Sequence, residues 1–197
     1  MISPSSHLRR LWLAAPALLA LALLVGCGSD GDGSGNPDSN LSASEATAPL
    51  EGAPPALASI RAQANQLLDG GTNAFEARLE QLRGTPVVVN KWASWCGPCR
   101  LEFPHFQSQA QRRGREIAFL GVDANDSDDA ARIFLEQLPL PYPSYADPDS
   151  EIAELIGAPR NFPSTAFYDR SGELVYTFQG VYSSEEQLAA DIERYAR

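Results

Sequence analysis

Pro86-Val87-Val88-Val89 is a short, continuously apolar, β-branched run, and it leads directly into Trp92-Ala93-Ser94-Trp95-Cys96-Gly97-Pro98-Cys99. Apolar residues without polar alternation are the pattern of a strand buried on both faces, and such a strand needs helices on either side of its sheet. A helical stretch follows the cysteines as far as Gly114, with Pro104 inside it removing one backbone donor. Strand, cysteine pair and helix in this order predict an α/β domain with its chemistry at a strand-to-helix turn.

The surrounding pattern fills in the domain. Leu57, Ile60, Ala64, Leu67 and Leu68 recur at helical spacing and are stopped by Gly70-Gly71. Asn73 with Glu76 has the form of a capping box, and Phe75, Leu79 and Leu82 give the second helix one apolar face. Ile117 to Val122 is another buried strand, and Ser127-Asp128-Asp129 caps a helix that Pro139-Leu140-Pro141 ends. Ile152, Leu155 and Ile156 form a short helix closed by Gly157. Thr165 to Tyr168 and Leu174 to Phe178 flank the turn signal Asp169-Arg170-Ser171-Gly172 and predict a hairpin. Ser183 with Glu186 opens a last helix along Leu188, Ile192 and Tyr195.

Upstream, the chain changes character twice. Arg9 and Arg10 precede an uncharged run of 15 residues, Leu11 to Val25, too short for a membrane span of about 20. It reads as a signal peptide over residues 1–26. The run ends in Leu24-Val25-Gly26-Cys27, which resembles the lipobox of bacterial lipoproteins and implies Cys27 as a lipidated mature N-terminus; an ordinary secretory signal or a retained anchor are the other readings. Residues 28–55, rich in Gly, Ser, Asp, Ala and Pro, read as a flexible tether with an end-to-end distance of roughly 30 Å. The folded part is then expected over residues 56–197.

Charge narrows the partners. Fifteen Lys and Arg stand against 25 Asp and Glu, a net charge of −10, which leaves little to neutralise a phosphate backbone and argues against nucleic acid. Lys91 is the sole lysine among those cations. Loss of residues 1–26 takes Arg9 and Arg10 and no acid, so attachment to an anionic membrane would rest on acyl chains and not on a basic patch.

The cysteine pair has its own physics. A thiolate is the attacking species, and a cysteine in the first turn of a helix gains from the positive end of the helix dipole and the free amides there. Cys96 is so placed. Two intervening residues, Gly97 and Pro98, let Cys99 reach back to the Cys96 sulfur, so a mixed disulfide can be resolved within the protein. Zinc needs four ligands, and after the signal the chain offers Cys96, Cys99, the lone His105 and carboxylates, so redox chemistry is the reading and no metal or other cofactor is expected. Asp123 to Asp129 lacks the glycine and terminal glutamate of a calcium loop and reads as helix capping.

β-α-β followed by β-β-α, with the cysteines at the first strand-to-helix turn, resembles the thioredoxin fold. The resemblance is close at Trp95-Cys96-Gly97-Pro98-Cys99 and extends over nearly all of the domain. Val87 to Pro104 is more similar to the membrane-attached TlpA/ResA branch: Asn90 stands where cytoplasmic thioredoxins carry a buried aspartate, and Glu102 where this branch has a glutamate beneath the active site. Lys91 departs from the pattern, which has an aromatic or aliphatic residue there, and helices instead of a β-hairpin precede Val87.

The resemblance implies a central mixed sheet of about four strands flanked by helices, with extra N-terminal helices. It also implies a cis-Pro163 facing the disulfide, with Phe162 presenting backbone polar groups to a substrate chain. Glu102 either tunes the thiols and relays protons or is a solvated helix carboxylate. Trp92 reads as core, Trp95 as a surface contact, and His105 as an ordinary helix residue. The expected function is a lipid-anchored, extracytoplasmic thiol–disulfide oxidoreductase acting on cysteine pairs of exported proteins, apocytochromes among them if the branch holds. Gly97-Pro98 matches the reducing thioredoxins, so a reductase fed by a membrane electron donor is expected. A disulfide-donating oxidase, or a non-catalytic binding, chaperone or copper-handling module, are the alternatives.

Overall fold

A computed structural model describes residues 41–197, so the signal, Cys27 and the first part of the tether lie outside the described residues. Six strands form one mixed sheet: β1 (Leu67–Leu68), β2 (Val87–Trp92), β3 (Ala118–Ala124), β4 (Ser144–Asp147), β5 (Ser164–Tyr168) and β6 (Leu174–Gln179). Their order is β1-β4-β3-β2-β5-β6, parallel from β1 to β2 and antiparallel across β5 and β6. Strand β2 lies between β3 and β5 and is buried at every residue, which is why its apolar run carries no polar alternation. Helices α1 (Ala43–Thr47), α2 (Pro55–Ala62), α3 (Gly71–Gln81), α4 (Gly97–Arg113), α5 (Asp128–Gln137), α6 (Glu151–Leu155) and α7 (Glu185–Tyr195) surround it.

The expected sheet of about four strands gains two. Leu67 and Leu68 are not the end of a helix: α2 stops at Ala62, and Asn65 takes a left-handed φ of 61°. The Asn65 side chain is held by Leu140 N–H and donates to the Leu135 carbonyl, which turns the next residues into register with Ser144 and Tyr145. Pairing across the sheet thus overrides the helical spacing of the leucines. Strand β4, absent from the sequence reading, lies among prolines and is fixed by pairing to Gly121–Ala124.

Two caps also differ from expectation. Helix α3 begins at Gly71, behind Gly70 in the left-handed region at φ 106°, so Asn73 lies inside the helix and caps nothing. At the last helix Ser184, and not Ser183, accepts from Gln187 N–H, while Ser183 binds the Gln187 side chain.

The tether is shorter than its composition suggested. Residues 41–54 are strapped to the domain: Ser42 and Glu45 make a capping box on α1, and Ala46 is fully buried. The guanidinium of buried Arg61 donates to the Ala46 carbonyl and to Gln111, and Gln111 donates to the Glu45 carbonyl. Few large apolar side chains are needed there, because backbone carbonyls supply the attachment through charged and amide donors.

Candidate active site

Strand β2 delivers the chain to the site, and its last residue fixes the floor. Trp92 is fully buried, stacked on Phe134 at 5.2 Å and edge-on to Phe103 at 5.5 Å, and its indole N–H donates to Ser144 Oγ at 3.1 Å. Gly121 makes room for this arrangement, since a Cβ there would fall 2.1 Å from Ser144 Oγ and 3.0 Å from the indole nitrogen. As expected, Trp92 is core.

Beyond it, Ala93-Ser94-Trp95 forms a short loop clasped by the β3–α5 connection. Ser94 N–H donates to Asp126 Oδ2 at 2.5 Å, and the Trp95 indole donates to the Asn125 carbonyl at 2.9 Å, with Asn125 itself left-handed at φ 52°. The acidic stretch therefore does more than cap a helix. Ser127 caps α5, Asp126 holds the cysteine loop, and Asp123 at the end of β3 is buried, its carboxyl pushed up to about 8 by desolvation and by Asp126, Asp128 and Asp147 nearby.

Cys96 is the N-cap of α4, and its Sγ accepts the Cys99 backbone N–H at 3.1 Å. The two cysteines are joined as a disulfide with Cα atoms 5.3 Å apart. A thiolate at Cys96 would sit against the positive end of a 17-residue helix, whereas Cys99 lies one turn in. Cys99 is wholly buried, and Cys96, the more open of the two, shows only 4% of its surface. Gly97, between the cysteines, has an ordinary φ, and a Cβ there would meet nothing within 4 Å. What its missing side chain provides is open space beside the disulfide. Pro98 occupies the first turn of α4, where no N–H is required.

Beneath the pair lies a buried carboxyl. Glu102, one turn past Cys99 on the same helix, is fully buried, which removes the reading of a solvated helix carboxylate. Its Oε1 accepts from Asn90 Nδ2 at 2.8 Å and its Oε2 from Tyr182 N–H at 3.0 Å. Burial nevertheless pushes its carboxyl up to about 8, against the downward pull of those two hydrogen bonds. The Asn90 Oδ1 atom is buried without a partner among the described residues, so turning this amide over would present an acceptor to the O–H of neutral Glu102.

On the side reached from β5, the Phe162–Pro163 peptide is cis, and Phe162 packs against Trp95 with ring centroids 4.8 Å apart. The Pro163 carbonyl accepts from Gly180 N–H at 3.1 Å. Trp95 is 55% exposed, a surface residue as expected. His105 shares α4 but stands half-buried against the Glu186 side of the helix, with burial lowering its pKa. Lys91, the departure from the family pattern, is fully buried. No sequence signal points to Tyr182, and Asp123 and Asp126 stand in the sequence only as parts of a capping stretch, because their roles depend on β3 and the chain before α7 folding back onto the β2–α4 unit.

A sheet of this order with a dithiol pair at the head of its central helix places the chain among the thioredoxin-fold thiol–disulfide oxidoreductases. It belongs to the AhpC/TSA family, whose model matches residues 61–177. It is similar to the thiol:disulfide interchange protein HelX of Rhodobacter capsulatus, 33% identical over 164 residues that cover 83% of this chain and 84% of HelX. The thiol-disulfide oxidoreductase ResA of Bacillus thuringiensis is 28% identical over 122 residues, covering 60% of this chain and 66% of ResA, just short of two thirds of the relative's length. Among solved structures, a putative thiol:disulfide interchange protein DsbE from Chlorobium tepidum aligns with a TM-score of 0.53 and 30% identity, covering 59% of this chain and 83% of that one.

Proposed function

We propose that the protein is a membrane-tethered, extracytoplasmic reductase that breaks disulfides in exported proteins through Cys96 and Cys99. The observation that carries this reading is the cysteine pair at the head of α4 with a buried, protonatable Glu102 one turn below it. The lipobox-like ending at Cys27 and the names of the ResA, HelX and DsbE relatives support the location and the chemistry. Apocytochrome cysteines are the substrates that the TlpA/ResA-like motif suggests.

In the reduced protein the Cys96 thiolate attacks one sulfur of a substrate disulfide. A Cys96–substrate disulfide forms, and the first substrate sulfur leaves as a thiolate that takes a proton from water. Cys99 then gives its proton to the Glu102 carboxylate and attacks Cys96 Sγ. The second substrate sulfur departs as a thiolate and takes up the proton that Glu102 received from Cys99, which restores the carboxylate. The substrate gains two electrons and two protons, and the protein is left with the Cys96–Cys99 disulfide. An electron donor on the membrane must reduce it again, because the compartment outside the cytoplasm is oxidising.

Insulin reduction tests the reading. With dithiothreitol as electron source, the wild-type protein is expected to accelerate precipitation of the insulin B chain, and Cys96→Ser is expected to run at the uncatalysed rate. Equal rates for the two would refute it.

A further inference from the structure

Lys91 is among the largest fully buried side chains of the domain, and the chemistry proposed above makes no use of it. Among the described residues no carboxylate lies within ion-pair distance of its amine. One N–H bond goes to the Ala158 carbonyl at 2.5 Å, and the amine stands 3.7 Å from the centroid of the Phe162 ring. Burial lowers its pKa to about 8, with Asp147 pulling the other way. An ammonium held in this way is a costly occupant of a central strand, where an apolar side chain of the same length would pack without desolvation.

Its two contacts share one target. Ala158 and Phe162 are the two ends of an arch that leads from α6 to the cis-Pro163 and into β5. The other anchors sit at its two ends: Gly157, just before it, offers its carbonyl to Gln179, Ala158 N–H binds the Ala153 carbonyl, and near Phe162 the exposed Asn161 donates from its side chain to Gln179 and accepts from Ser164 Oγ at its carbonyl. Phe162 in turn packs on Trp95, the exposed residue next to Cys96. Lys91 pairs with Ser164 across β2 and β5, so the strand that leads into the cysteine loop also carries the amine that grips the arch from below.

We propose that Lys91 is a positioning residue for substrate recognition: its ammonium, bonded to the Ala158 carbonyl and seated against the Phe162 ring, fixes the arch and with it the Phe162–Trp95 platform on which a substrate polypeptide docks beside Cys96. The inference rests on the reductase reading for its substrate and on geometry alone for the arch. Lys91 acts through Phe162 and touches no reacting sulfur.

The test uses the full-length protein in detergent micelles, as wild type, Lys91→Met, Phe162→Leu and the double variant. In insulin reduction, Lys91→Met is expected to raise KM about tenfold, the worth of one desolvated cation–π contact, with kcat held within about twofold. If Lys91 works through Phe162, the double variant costs no more than Phe162→Leu alone. Hydrogen exchange gives a readout free of activity: amides of residues 157–162 should exchange faster in Lys91→Met, with the rest of the sheet unchanged. A KM within twofold of wild type, additive effects in the double variant, or unchanged exchange over the arch would each overturn the proposal. Should the wild type reduce neither insulin nor a small aromatic disulfide, the reductase reading fails, and the exchange data still decide whether Lys91 holds the arch.

Discussion

Cys99→Ser is expected to accumulate on substrate proteins as a stable Cys96-linked mixed disulfide, while Cys96→Ser accumulates none. The asymmetry follows from where the two sulfurs stand. Cys96 is the N-cap of α4, so its thiolate is stabilised by the helix terminus and by the Cys99 N–H that its sulfur already accepts. Cys99 has none of its surface exposed and can reach only the Cys96 sulfur. Removing it deletes the step that frees the substrate, so the trapped form should rise from undetectable to most of the protein exposed to substrate. Alkylation of free thiols followed by non-reducing gels and mass spectrometry reads the outcome and identifies the partner. Equal trapping by both variants would exchange the assigned roles for none.

The second large effect belongs to Glu102. Its folded-state carboxyl is raised from 4.5 to about 8, so between those values the folded protein holds a proton that the unfolded chain has lost. Stability therefore falls as pH rises through that window, by roughly 1.4 kcal/mol per unit, or a few kcal/mol in all. Glu102→Gln removes the titrating group, and the variant should gain stability over wild type progressively from about pH 5 to pH 8. Its chemistry should suffer in the opposite sense. Without a carboxylate to take the Cys99 proton, release of the mixed disulfide is expected to slow by about a hundredfold near pH 8. Chemical denaturation across pH and stopped-flow measurement of release check the two halves. A variant with the wild-type pH profile of stability and of release would return Glu102 to a packing role.

The parts of this site that were legible in the sequence are those set by neighbours along the chain. Val87 to Val89 announced a buried strand, the Cys96–Cys99 spacing announced a dithiol at a helix start, and both depend on local pattern alone. Phe162-Pro163 became readable through family resemblance, since an X–Pro bond is otherwise seldom cis. What stayed hidden depends on distant segments meeting. Glu102 has the sequence appearance of any helix carboxylate, and its burial comes from Asn90 on β2 and from Tyr182, eighty positions away. Asp126 looked like part of a capping run, yet it accepts the Ser94 N–H in the cysteine loop. Leu67 and Leu68 obeyed a helical period and were drawn into the sheet by β4, a strand of four residues with no pattern of its own.

The direction of electron flow is the heart of the proposal, and the reduction potential of the Cys96–Cys99 pair measures it. Equilibrating the full-length protein with graded mixtures of oxidised and reduced dithiothreitol, then counting alkylated thiols by mass, gives the potential directly. Each ~30 mV shifts the dithiol–disulfide equilibrium tenfold, so the distinction is wide. A reductase with a Gly97-Pro98 dipeptide between its cysteines is expected near the thioredoxin value of about −270 mV. A value near the roughly −120 mV of dedicated disulfide donors would contradict the account and make the protein an oxidase.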